Sequence, residues 1–233
     1  MELKSNFCGL LKIYENIYFI DVETTGFDKK IDTIIEISII QISLDNNMPA
    51  IKSKYSFFVK PYKPISDKII ALTGITNEIL NTAGLSPYKA ARIIVDILGE
   101  ESKICIAHNA NFDINFIVQL LRNENLMWNW ANIDFIDTLT IFRDRHPYPH
   151  KLSDAIIAYG LENIANNSHR AEDDAFATMM IFDSMCKEKS DVGKYINLFG
   201  FNPKYPITSD YMLNKILYKE QAYNRKTHLY GEE

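Results

Sequence analysis

Ile17-Tyr18-Phe19-Ile20-Asp21-Val22-Glu23-Thr24-Thr25-Gly26 is the stretch whose reading decides the fold. Four β-forming apolar residues in a row read as a buried strand, and the two acids stand at its C-terminal end. The period of two puts Asp21 and Glu23 on one face and Val22 on the other. Two carboxylates on one face suit a hard cation, although acids at strand ends are common and this pair alone carries little weight. Gly26 lets the chain turn sharply, so Gly26-Phe27-Asp28-Lys29-Lys30 reads as a turn. The hydroxyls and N–H groups of Thr24 and Thr25 are then placed to face whatever binds beside the acids.

Outward from this strand, Ile34 to Ile42 reads as a second strand and Lys54 to Lys60 as a third, stopped by Pro61 and Pro64. Together the three suggest an antiparallel meander. The pattern then turns helical. Thr76 caps a short helix to Leu80. Ser86-Pro87 opens a longer one, whose apolar positions Ala90, Ala91, Ile94, Val95 and Leu98 keep helical spacing up to Gly99. Ile104 to Ala107 is a fourth strand, and Phe112, Phe116, Ile117 and Leu120 mark an amphipathic helix. Thr138 to Arg143, Leu152 to Tyr159 and Arg170 to Cys186 also fit helices. The result is an α/β domain with a mixed β-sheet flanked by helices, expected over residues 1–188. Residues 189–233 are set apart as a small C-terminal appendage, because Asn197 to Pro203 and Tyr205-Pro206 are aromatic and turn-rich. A packed appendage and a partner-docking segment both fit them.

Composition bounds the function. Of 233 residues 47% are hydrophobic, enough for a substantial core. Thirty acids against 25 bases leave a net charge of −5, which argues against a protein that coats nucleic acid non-specifically. It does not argue against a local phosphate site: four carboxylates, if they held two divalent cations, would move locally from −4 to 0, and the chain from −5 to −1. Cys8, Cys105 and Cys186 are odd in number and far apart, with no zinc-type spacing, so a reducing compartment is expected. The first residues show no cationic segment followed by an apolar run. The most apolar stretch, Thr33 to Ile42, is broken by Glu36, Ser38 and Gln41 and is far short of a membrane span. No internal repeat or low-complexity segment is visible. A soluble, cytoplasmic protein with no membrane partner is expected.

Two further clusters carry chemistry. His108-Asn109-Ala110-Asn111-Phe112-Asp113 follows the fourth strand directly, where ligands of open α/β sheets gather. Asp113 falls in the first helical turn, where capping alone explains an isolated acid. His169-Arg170-Ala171-Glu172-Asp173-Asp174 leads into the last helix. Five residues on one helix rotate by about 140°, so His169 and Asp174 would diverge if both were helical. His169 is therefore expected at or just before the helix start, free to swing beside Asp174.

The order of these clusters and their flanking elements resembles the DnaQ-like (DEDDh) 3′→5′ exonuclease family, which includes the epsilon-type proofreading subunits of bacterial DNA polymerase III. Asp21-Val22-Glu23-Thr24-Thr25-Gly26 looks like its first motif, His108 to Asp113 its second, and His169 to Asp174 its third in the histidine form. The tyrosine form would need a Tyr in place of His169, and none lies between Gly160 and Asp174. The likeness covers residues 14 to 187. It implies an RNase H-like fold, with Asp21, Glu23, Asp113 and Asp174 as the metal-binding acids and His169 as the general base. Asp173 is passed over, since the family's acid lies five residues after the His. Glu36, inside Ile-Ile-Glu-Ile, is left out of the metal site as a strand residue that hydrogen-bonds locally. Thr73 departs from the pattern: polymerase-linked members often have a His before the following Gly.

From this resemblance follows a mechanism. Two cations about 4 Å apart supply a nucleophile near neutral pH and charge relief on the leaving 3′-oxygen. Oxygen ligands select Mg²⁺ or Mn²⁺. One ion is expected among Asp21, Glu23 and Asp174. The other bridges Asp21 and the phosphate, with Asp113 beside it, while His169 removes the proton from water. Thr24, Thr25, Phe27, Leu72, Thr73, His108, Asn109 and Phe112 are the implied contacts to the terminal nucleotide. Single-stranded or frayed 3′ ends are the implied substrate, a nucleoside 5′-monophosphate the product, and a DNA polymerase the implied partner. The rivals are an RNA-trimming enzyme with the same catalytic set, a non-catalytic polymerase-associated binding subunit, and a structural protein with accidental acids. Five intact catalytic positions count against the second, and the joint occurrence of three ordered motifs against the third.

Overall fold

The apolar run at 17–20 forms the central strand of the protein. The computed structural model describes residues 7–99, 101–127, 130–223 and 229, so Met1 to Asn6 and most of the chain end lie outside the described residues. Strand β1 (Asn16–Thr24) pairs antiparallel with β2 (Ile34–Asp45), which pairs antiparallel with β3 (Met48–Phe58). On its other side β1 runs parallel to β4 (Lys103–Ala107), and β4 parallel to β5 (Ile133–Asp137). The sheet order is therefore β3-β2-β1-β4-β5, a mixed sheet flanked by helices as expected.

Helices α1 (Asp67–Thr73), α2 (Asn77–Ala83) and α3 (Pro87–Leu98) follow the meander, and α4 (Ala110–Asn123) follows β4. After β5 come α5 (Thr138–Arg145), α6 (Leu152–Ala158) and α7 (Ala171–Glu188). The caps act as the sequence indicates: the Thr76 and Ser86 side chains accept the N–H groups of Ile79 and Lys89. Strand parity sorts the core. Ile17 and Phe19 face α7, whose Phe182 lies 5.9 Å from Phe19 ring to ring, and Phe7 completes that cluster. Tyr18, Ile20 and Val22 face α3 and α4. Asp21 and Glu23 thus continue the α7-facing row to the strand's end. Removing a ring such as Phe19, fully buried, costs about 3–5 kcal/mol.

Three elements depart from expectation. Strand β3 starts at Met48, before Lys54, because Asn46 and Asn47 adopt φ of 48° and 64° and close a two-residue hairpin. Helix α1, between Pro64 and Gly74, and strand β5, too short for a periodicity, are both additional. Residues 189–221 have no core of their own: Val192, Tyr195 and Leu198 join one main core, and Phe199, Leu213 and Ile216 the other. There β6 (Leu198–Phe201) pairs in parallel with β7 (Leu217–Glu220). Asn197 covers the outer edge of β5, its N–H donating to Phe135 O at 2.8 Å and its side chain accepting Phe135 N–H at 3.0 Å. The rest of the expected appendage, 224–228 and 230–233, is outside the described residues. Among the described residues no helix is long and apolar enough to cross a membrane.

Candidate active site

The carboxyl end of β1 presents Asp21 and Glu23 half-exposed on one face, with Val22 buried between them. Asp113, in the first turn of α4 and 3% exposed, accepts the Val22 N–H at 3.1 Å. That bond ties the second cluster to the backbone between the first two acids. Asp174, 4% exposed in the first turn of α7, accepts from Asn167 Nδ2 at 2.6 Å and Ser168 N at 3.2 Å. Asp173, its neighbour, is exposed and accepts from Ser168 Oγ instead. His169 is exposed, with φ of 56°, two residues before the first residue of α7. This left-handed turn brings it back on Glu23 and Asp174, and the ligand atoms of all three lie within 4.8 Å of one another.

The electrostatics are those of a crowded anionic pocket. Burial, then the charges of Asp113, Asp174 and Glu23, hold the Asp21 carboxyl well above its ordinary range. Burial likewise raises Asp113, against the N–H it accepts. Glu23 is pushed up to about 8 by burial and then by Asp174 and Glu36, and Asp174 to about 7, chiefly by burial. Such shifts mark a pocket short of positive charge. Arg170, whose charge lowers Glu23, is committed elsewhere.

Its partner is Glu36, and here the expectation of a local hydrogen bond is corrected. Glu36 is 1% exposed and lies directly opposite Glu23 in the β1–β2 register. It takes Arg170 Nη2 at 2.7 Å, Arg170 Nε at 3.1 Å and the Ala171 N–H at 3.0 Å. A carboxylate on the first N–H of a helix is favoured by the helix dipole and by the unpaired N–H groups there. Glu36 therefore pins the start of α7, and with it the backbone between His169 and Asp174. Asp137, also missed from the sequence, does the same for α4: it accepts Asn109 N at 2.8 Å, Ala110 N at 3.2 Å and Thr140 Oγ1 at 2.7 Å. Nothing in β5's short run sets Asp137 apart from the other acids of the chain.

The expected nucleotide contacts divide. Phe27 is 83% exposed, its ring 6.3 Å from half-buried Phe112, and Leu72 is exposed, so these offer apolar surface. The Thr hydroxyls also bond within the protein. Thr24 donates to Gly26 O, Thr25 to Asp32, and buried Thr73 to Ile69 O while accepting Ile75 N–H. His108 is held 3.0 Å from Thr138 Oγ1 and 3.3 Å from His150 O. Asn109, exposed, adopts φ of 70° at the start of α4.

The sequence and the fold have known counterparts. A family model described as exonuclease, of the RNase T type, matches residues 18–182. The PolC-type DNA polymerase III of Ureaplasma parvum serovar 3 is 33% identical over 192 residues, covering 81% of this chain. That of Bacillus subtilis is 32% identical over 181 residues, covering 77%. The chain spans only 13% and 12% of those two proteins. Among solved structures, E. coli exonuclease I in complex with a dT13 oligonucleotide superposes with a TM-score of 0.68 at 18% identity, over 78% of this chain and 43% of that one. The nuclease domain of 3′hExo, a DEDDh family member bound to rAMP, gives 0.63 at 18% identity, over 76% of this chain and 94% of that one.

Proposed function

From the premise that the chain belongs to this exonuclease family, a family of nuclease hydrolases, we propose that it removes nucleoside 5′-monophosphates from the 3′ end of DNA with two divalent cations. The observation that carries the proposal is the convergence of Asp21, Glu23, Asp113 and Asp174 at the end of β1, where Arg170, whose charge reaches Glu23, is already paired with Glu36. An all-carboxylate set with raised pKa values fits hard divalent ions such as Mg²⁺ or Mn²⁺, the type of cofactor this family generally uses. Asp21, Glu23 and Asp174 would hold one ion, and Asp21 and Asp113 the other. When bound, the pair supplies Lewis acidity toward water and toward the phosphate oxygens.

The chain's own residues do the rest. His169, exposed at the mouth of the acid cluster, takes the proton from the attacking water. Glu36 and Arg170 keep the backbone of His169 in place. Phe27, Leu72 and Phe112 seat the terminal base and sugar on apolar surface, which tolerates every base. The PolC-type relatives support DNA as substrate, proofreading or repair as the setting, and a polymerase as partner in the cytoplasm. RNA is the second reading, supported by the likeness to a nuclease domain bound to rAMP.

The test is incubation with 5′-labelled single-stranded DNA and RNA, with Mn²⁺ and with excess chelator. A ladder shortening from the 3′ end, faster on DNA and silent in chelator, is expected. Cleavage from the 5′ end, or turnover in chelator by protein free of metal, would overturn the reading.

A further inference from the structure

A cavity of about 330 Å³ opens at the carboxyl ends of β4 and β5. Strand β4 is the immediate neighbour of β1, so the cavity opens at the same end of the sheet as Asp21 and Glu23. Asn109, which precedes the first residue of the helix that carries Asp113, lines it.

Its wall is cationic and aromatic. Arg143, Lys151, His108 and His150 line it together with Tyr148 and Tyr223, and no carboxylate is among the lining residues. Burial holds His108 at about 4 and lowers His150, so at neutral pH the positive charge is that of Arg143 and Lys151. Arg143 is the informative residue. Two positions along the same helix, Arg145 is 7% exposed and bonded to both Glu188 and Asp191. Arg143 makes no ion pair among the described residues. Its Nη1 has only a 3.4 Å contact with Gly200 O, and its Nε has no hydrogen-bond partner. Its guanidinium stands 5.3 Å over the Tyr223 ring. Tyr148, 60% exposed, stacks on Tyr223 at 5.2 Å and meets His150 edge-on. A half-buried cation left without an acid, in a chain of net charge −5, is stabilised by an anion from outside. An anion flanked by aromatic faces is the chemistry of a nucleotide.

We propose that this cavity is a subsite for a nucleotide upstream of the scissile bond, on the strand whose 3′ end occupies the catalytic pocket. The upstream phosphate lies on Arg143 and Lys151 and the base against Tyr148 and Tyr223. The proposal rests on the exonuclease reading and deepens it, giving Tyr223, from the C-terminal segment, a part in holding the strand.

The experiment compares wild type with Arg143→Gln and with Tyr148→Ala/Lys151→Ala, two exposed positions whose replacement leaves the core intact. Binding of a 5′-fluorescein octathymidylate is measured by anisotropy in chelator, with free TMP as competitor. Hydrolysis of the p-nitrophenyl ester of TMP, which has no upstream nucleotide, is measured with Mn²⁺. Each variant is expected to bind the oligonucleotide about tenfold more weakly, with the salt dependence of log K shallower by roughly 0.7 per cation removed. Competition by TMP and turnover of the ester should stay within about twofold. Equal loss on ester and oligonucleotide would overturn the proposal, as would unchanged oligonucleotide binding, or a loss of TMP affinity matching that of the strand. A wild type inert toward both substrates would sink the exonuclease reading, while the anisotropy comparison would still decide the subsite.

Discussion

Without metal, the acid cluster should make the protein less stable as pH rises. Asp174 is raised from 3.8 to about 7 and Glu23 from 4.5 to about 8. An acid whose folded pKa exceeds its unfolded one binds more protons in the folded state. Its stability contribution is therefore full below about pH 4 and is lost as pH rises through 7–8. At 1.36 kcal/mol per unit, going from pH 5 to pH 8 costs at most roughly 2.5 kcal/mol at Asp174 and 3.5 kcal/mol at Glu23. The two share one repulsion and Glu23 is partly exposed to water, so about 3–4 kcal/mol is the expected loss from this pair, to which Asp21 and Asp113, raised in the same sense, add. For a protein of this size that is about 10 °C in Tm. Saturating Mn²⁺ at pH 8 should restore most of it, and should raise Tm less at pH 5, where protons compete for the same oxygens. Differential scanning calorimetry with chelator and with Mn²⁺ at both pH values measures this, and Asp174→Asn isolates the site by flattening the metal-free slope. A metal-free Tm equal at pH 5 and 8, or a slope untouched by Asp174→Asn, would refute the reasoning.

Three further outcomes are expected. Asp174→Ala should abolish exonuclease turnover while Asp173→Ala, altering an exposed acid, retains most of it; equal loss in two folded proteins would mean the wrong acid was chosen. His169→Gln should slow single-turnover cleavage at neutral pH by about 10²–10⁴-fold with metal binding preserved, and a folded variant within about threefold of wild type would remove His169 from the chemistry. Glu36→Gln removes the charge but not the shape of the clamp on α7. Because Arg170 is 43% exposed, the cost is set at about 2–3 kcal/mol, less than for a fully buried pair. Turnover should fall while oligonucleotide affinity holds, and an unchanged Tm and rate would show that the clamp positions nothing.

What the sequence reveals of this protein follows from how local each signal is. The strand at 17–20, the cap at Ser86-Pro87 and the three acidic motifs are written in consecutive residues, and each appears where that local reading puts it. Glu36 was legible as an oddity among isoleucines, but its partner lies 134 residues away, and no spacing rule points there. Asp137 was hidden for the same reason: its bonds run to Asn109 and Ala110, 28 and 27 residues earlier. The bonds of the Thr hydroxyls are legible only in the fold: Thr24, Thr25 and Thr73 close turns and helix ends with them. Arg143 and Tyr148 carried no motif, because a cavity wall drawn from separate elements has no period.

The cover that Asn197 gives to β5 bears on how small a working version of this molecule can be. Cutting after Glu188 would spare every acid of the cluster, yet leave the N–H and C=O of Phe135 facing water along the last strand of the sheet. An uncovered edge is a template on which another copy can add its own strand, so the trimmed fragment would be prone to self-association. The C-terminal segment thus serves as insulation for the edge of the sheet, besides the side chains it lends to the two cores, and its loss would register in light scattering.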